Sequence, residues 1–156
     1  MSHRRDEIRK YIIDVLIDKT DAKERVYDSR FTPFQHDKYF PCISIITQKE
    51  IGQNESYNPC LIKRRAHLTI AVMTKQSEGG FENTDKILFQ IENIINNINH
   101  TNFTFEYEST ESDVSVSVTP ASVITTLNYI CTYYTDETKN ACGENLEILS
   151  LEVPHG

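Results

Sequence analysis

Arg64-Arg65-Ala66-His67-Leu68-Thr69-Ile70-Ala71-Val72-Met73 is the stretch on which the fold turns. Ala66, Leu68, Ile70 and Val72 recur at every second position, separated by His67, Thr69 and Ala71. Successive side chains of a strand point to opposite faces, so this period of two predicts a half-buried β-strand. Upstream, Cys42-Ile43-Ser44-Ile45-Ile46-Thr47 is rich in β-branched residues and reads as a second strand. Residues 51–59 between them are polar, with Gly52, Asn54, Ser56 and Asn58, and read as the tip of a long hairpin or a mobile loop.

Before this hairpin, Ile8, Tyr11, Ile12, Val15 and Leu16 share one face at helical spacing and predict a helix over residues 4–19. Thr20, Asp21 and Ala22 interrupt that period, and Val26-Tyr27, followed by Asp28-Ser29, reads as a short extended segment. Pro33 and Pro41 bracket an irregular linker, because each fixes its own backbone angle and moves its predecessor out of the helical region. Beyond the hairpin, Gly79-Gly80 makes a turn, and Asn83 or Thr84 is the expected cap of a second helix. Its apolar stripe is Ile87, Leu88, Ile91, Ile94, Ile95 and Ile98, and Asn96, Asn97 and Asn99 let its end fray. Phe103, Phe105 and Tyr107 alternate, as do Val114, Val116 and Val118, and residues 123–134 are rich in threonine and tyrosine; all read as strands. The order helix, strands, helix, strands predicts an α+β fold: a single domain with a mostly antiparallel β-sheet, two main helices packed on one face and a long β-hairpin. The domain is assigned to residues 1–143, with 144–156 as a C-terminal tail or added edge strand.

The length of 156 residues suits one domain with one core. With 23 acidic and 16 basic residues the formal charge is −7, a field that repels nucleic acid and anionic membrane. The opening residues pass directly into a charged amphipathic helix, without the apolar core of a signal peptide, and no apolar run is long enough to span a membrane. A cytoplasmic site of synthesis is therefore expected. Cys42, Cys60, Cys131 and Cys142 form no Cys-x-x-Cys pair, so no zinc site is expected. They read as buried or incidental thiols in a reducing compartment, with a Cys42 to Cys60 disulfide across the hairpin left open as the alternative. His3, His36, His67, His100 and His155 are scattered and read as solvated or structural. His67 with Asp28 and Glu50, or Cys42 with His67, can be grouped on paper, but no motif surrounds either set. No catalytic, metal-binding or cofactor-binding residue is therefore assigned, and no enzyme activity is expected. Lys63-Arg64-Arg65 lacks the interleaved aromatics of a base-stacking surface.

The order of these segments resembles the tail-terminator family of long-tailed phages, also called minor tail protein U-like or tail-completion proteins. The matching residues are Asp21-Ala22, Arg25-Val26-Tyr27 and Arg30; then Pro41, Ile43, Ile45, Thr47 and Glu50; then Arg64-Arg65, Leu68, Ile70 and Val72. The second helix and the closing strand with Tyr129 and Tyr133 also sit where the family has them. Phe40 stands where leucine is usual, and residues 108–113 and the C-terminal tail have no counterpart. The resemblance implies a structural virion protein and no covalent chemistry. Copies are expected to close into a homo-oligomeric ring, a hexamer, on the head-proximal end of the tail tube. There the ring ends tube polymerisation and presents a surface to head-completion or neck proteins. DNA is expected to pass through the lumen without specific binding, and the assembly to form in the host cytoplasm and reside in the virion tail.

A closed ring needs two different, complementary faces. The residues assigned to a subunit or tail-tube interface are Arg25, Tyr27, Arg30, Glu50, Asn54, Tyr57, Lys63, Arg64 and Arg65. The acidic residues 106–113 and Asp136-Glu137 are candidates for the opposite face. The plainer expectation is surface charge throughout, with Arg25 and Arg30 in local ion pairs with Asp21, Glu24 or Asp28, and Tyr27 and Tyr129 as sheet packing. Another neck component, such as a head-closure or head-tail joining protein, is the alternative function.

Overall fold

The computed structural model describes residues 4–30, 40–57, 60–75, 81–115 and 122–136. Its elements are α1 (Arg4–Leu16), β1 (Val26–Asp28), β2 (Cys42–Tyr57), β3 (Cys60–Lys75), α2 (Glu82–Asn96), β4 (Thr104–Ser115) and β5 (Ser122–Asp136). One five-stranded sheet has the order β1-β2-β3-β5-β4. Every pairing is antiparallel except the short parallel contact of β1 with β2. This is the expected α+β fold, including the long β2–β3 hairpin.

The period of two in β3 becomes a layered core. Ala66, Leu68, Ile70 and Val72 are fully buried, beside Ile43 and Ile45 of β2 and Leu127, Tyr129, Cys131 and Tyr133 of β5. Ile8, Ile12 and Leu16 of α1 and Ile87, Ile91 and Ile95 of α2 close over the same face. A smaller cluster, Cys42, Ile46, Ala71 and Met73, lies on the far face at the β1 end, packed by Tyr27, Phe40 and Ile124.

Polar contacts fix how the helices sit. Arg9 of α1 donates from Nε to Asp28 Oδ1 of β1 at 2.8 Å and from Nη1 to Thr47 of β2. One guanidinium therefore ties the first helix to two strands. Asp21 holds α2: its backbone N–H donates to Gln90 Oε1 at 2.9 Å, Gln90 Nε2 donates to Asp21 Oδ1 at 3.2 Å, and Lys86 Nζ lies 3.2 Å from Asp21 Oδ2. The Gln90 hydrogen bond, aided by Lys86, holds the Asp21 carboxyl below its ordinary range.

Several boundaries differ from expectation. α1 stops at Leu16 rather than residue 19, because the chain turns back through Asp18 and Lys23, both at positive φ, with Asp18 N–H donating to Lys23 O at 2.9 Å. Of the two readings of the polar segment from Ile51, the hairpin one holds, with β2 continuing as strand through Tyr57. Neither Asn83 nor Thr84 caps α2: the N-cap position is Phe81, without a side-chain cap bond. Thr84 is instead buried, its hydroxyl 2.7 Å from that of Thr74, so tertiary packing claims the expected capping group. Phe105, Tyr107 and Val114, read from two separate alternations, lie in one strand, β4. Val116, Val118 and the C-terminal tail lie outside the described residues.

Leu68 contributes no exposed surface, so Leu68→Ala should lower the unfolding free energy by about 2–5 kcal/mol in urea titration. The exposed Phe89 of α2 is the control, and Phe89→Ala should stay within about 0.5 kcal/mol.

Candidate functional site

The assigned residues divide between the two faces of the hairpin, and a β-bulge makes the division. Between Cys42 and Thr47 the odd-numbered residues of β2 face the helices. The register shift between Thr47 and Lys49 reverses that parity, so Glu50 points to the helix side while Lys49 and Ile51 point to the far face.

Glu50 thereby joins a largely buried polar cluster. Tyr133 donates its hydroxyl to Glu50 Oε1, Arg64 Nη1 lies 3.2 Å from Glu50 Oε2, and Arg64 Nε donates to Thr135 Oγ1 at 2.9 Å. The side chains of Glu50 and Arg64 are 12% and 25% exposed. Burial, then the Glu50 hydrogen bond, drives the Tyr133 hydroxyl strongly upward in pKa. Glu50 and Arg64 are thus internal ties between β2, β3 and β5. Arg25 also bonds within the chain, donating from Nε to Pro41 O at 2.8 Å, with Glu24 at 3.7 Å. Tyr27 packs on the far-face cluster, and the backbone N–H of Arg30 donates to Ser44 Oγ at 2.7 Å.

The remaining assigned residues lie toward the hairpin tip. Asn54 is exposed on β2, and Tyr57 ends that strand. Lys63 and Arg65 share the far face of β3 with His67, and the register places Lys49 beside His67 and Ile51 beside Arg65. Across the sheet, His67 aligns with Ile130, and Ile130 with Glu106 of β4. A second bulge, between Tyr107 and Ser109, brings Glu106, Ser109, Glu111 and Asp113 to that same face. Glu108, in the bulge, lies 3.8 Å from His67 Nδ1. The far face therefore carries cations on β2 and β3 and a row of acids on β4. Lys49 was not among the assigned residues, since only the bulge aims it toward Arg65.

The chain matches no family model and no curated protein. The far face is thus judged on its own chemistry.

Among the described residues no group of three or more His, Cys, Asp or Glu is arranged to hold a metal ion. Burial pushes the Cys42 thiol up to about 11 and the Cys131 thiol up to about 12, so both stay protonated near neutrality. Cys60 departs from the expected free thiol, being disulfide-bonded; Cys42 is free, so the two are not paired with each other. Among the described residues no helix is long and apolar enough to cross a membrane.

The two buried tyrosines of β5 should respond differently to loss of the hydroxyl. Tyr129 Oη is buried with no hydrogen-bond partner among the described residues, so Tyr129→Phe should be neutral or stabilising by up to about 1 kcal/mol. Tyr133→Phe removes a donor from Glu50 and should cost about 1–3 kcal/mol, read by chemical denaturation. Burial also pushes Tyr129 up to about 12, above its value in the unfolded chain. The unfolded state then ionises first, so stability should fall as pH rises from about 10 towards 12, and Tyr129→Phe should flatten that slope in a pH series of melts.

Proposed function

We propose that the protein is a structural component of a phage tail. Copies form a ring on the head-proximal end of the tail tube, end its polymerisation and provide the surface for head attachment. The observation that carries this reading is the place of the motif residues. Asp21 pins α2, Ala22, Val26, Ile43 and Ile45 fill the core, and Glu50 and Arg64 tie three strands together. The motif that resembles the tail terminators is accounted for by packing, and what it leaves on the surface is a long hairpin with one charged face. Such a surface suits assembly with other protein subunits better than turnover of a small molecule.

In this reading the partners are further copies of the chain, the tail tube protein and a head-completion or neck protein. DNA passes through without specific contacts, in keeping with the net charge of −7. The site of action is the virion tail.

Purified protein added to polymerising tail tubes should arrest their growth and appear as a cap at one end in electron micrographs. Unchanged tube lengths, with the protein on filled heads instead, would assign it to the head side of the neck. Arg65→Glu should weaken assembly on the tube while leaving thermal unfolding unchanged, because Arg65 is exposed. Full arrest by this variant removes Arg65 from the interface.

A further inference from the structure

The sheet has two long edges that the described residues do not cover. β4 is outermost in the strand order, is 12 residues long and contains no proline; what guards its edge is a row of acids and one bulge, which repel a like edge and not a basic one. On the opposite side, β1 pairs only with Ile43–Ile45 of β2. The β2 edge over residues 46–53 therefore has no strand beside it among the described residues.

We propose that the outer edge of β4 over residues 104–109 in one copy pairs antiparallel with the β2 edge, residues 46–51, of the next copy, so that the sheet runs on from subunit to subunit. The contact deepens the ring reading and rests on it only for closure. Strand direction favours this contact: β2 and β5 run one way, β3 and β4 the other. Rotation about an axis along the strands preserves direction, so β4 meets the next β2 antiparallel, the pairing already used through most of the sheet.

Charge selects this pairing over its two-fold rival. Two copies meeting β4 to β4 would bring Glu106, Glu108, Glu111 and Asp113 against the same acids of the partner, and opposed like charges destabilise a sheet. Against β2, Glu106 instead meets Lys49, with Arg65 and Lys63 on the adjacent strand, while Glu111 and Asp113 fall on the rows of Ser44 and Cys42, away from any like charge of β2. A closed ring has no translation along its axis, so rows of the sheet continue into rows. Lys49, His67, Ile130 and Glu106 form one row, which brings Lys49 of one copy to Glu106 of its neighbour. The contact is heterologous, as ring closure requires.

The test is a charge swap read by sedimentation equilibrium over a concentration series, on free protein and with tail tubes present, with circular dichroism to verify the fold. Glu106→Lys and Lys49→Glu should each weaken self-association by about tenfold, and the double variant should recover to within about threefold of the parent. A single variant that associates like the parent, a double variant no better than the singles, or a parent monomeric under both conditions overturns the pairing. Tube length is scored separately. Arrest of growth without charge-swap rescue removes the edge contact and keeps the terminator reading; rescue without arrest does the reverse.

Discussion

The burial of one face of β3 is the constraint from which the rest of the molecule follows. β3 is the central strand, paired along nearly its whole length with β2 on one side and β5 on the other. Its alternate residues Ala66, Leu68, Ile70 and Val72 are sealed beneath both helices. A slip of one residue would turn those side chains to the far face and bring His67, Thr69 and Ala71 under the helices. The hydrophobic row thus sets the register of both neighbours and decides which charges remain outside. Lys63 and Arg65 are on the far face because Ala66 and Leu68 are not.

Two of the three register shifts among the described residues modify that rule where the charges lie. Without the shift after Thr47, Glu50 would share the far face and Lys49 would lie toward the helices. Without the shift after Tyr107, Glu106 would lie opposite Glu111 and Asp113 rather than with them. Each bulge inserts one residue and re-aims everything beyond it. The first supplies Tyr133 and Arg64 with a carboxylate, and the second gathers the acids into a row. A largely buried ion pair such as Glu50 with Arg64 is a poor source of net stability, since desolvating both partners offsets their attraction. What it does supply is a penalty for misalignment, because a shifted register leaves a buried charge without its partner.

What the sequence revealed, and what it hid, follows from how local each determinant is. The strand over Ala66 to Val72 and the stripe of α2 were legible because a single period names both the element and its buried face. The cap of α2 was misjudged because Thr84 bonds to Thr74, ten positions away in the preceding strand. The cluster of Glu50 with Tyr133 spans 83 positions and passes through a bulge, so no spacing rule reaches it. Of the nine assigned interface residues, Lys63, Arg64 and Arg65 were read together as one basic patch, and the strand register separates them, with Lys63 and Arg65 on the far face and Arg64 on the helix side. Arg25, Glu50 and Arg64 were chosen as charges and proved to be braces, which only their partners could disclose. Cys60 was read as a thiol from compartment and spacing, and neither discloses that it is disulfide-bonded.

The resemblance to tail terminators and the architecture meet in an asymmetry. The proposed role, stopping a polymer and building a ring, would need lateral faces that complement each other without satisfying themselves. The net charge of −7 does not provide this, since a uniform field only keeps copies apart. An uneven one does: acids on the outermost strand at one edge, cations on the hairpin at the other, both on the face turned away from the helices. Self-pairing of the acidic edge is disfavoured by repulsion, and the proposed head-to-tail contact would relieve it. Because the bulges of β2 and β4 set both charge patterns, they also determine which edges are complementary. On the proposed pairing, recognition is built into the sheet register, and a substitution that removed either bulge would alter assembly by turning side chains over without changing any residue of the contact.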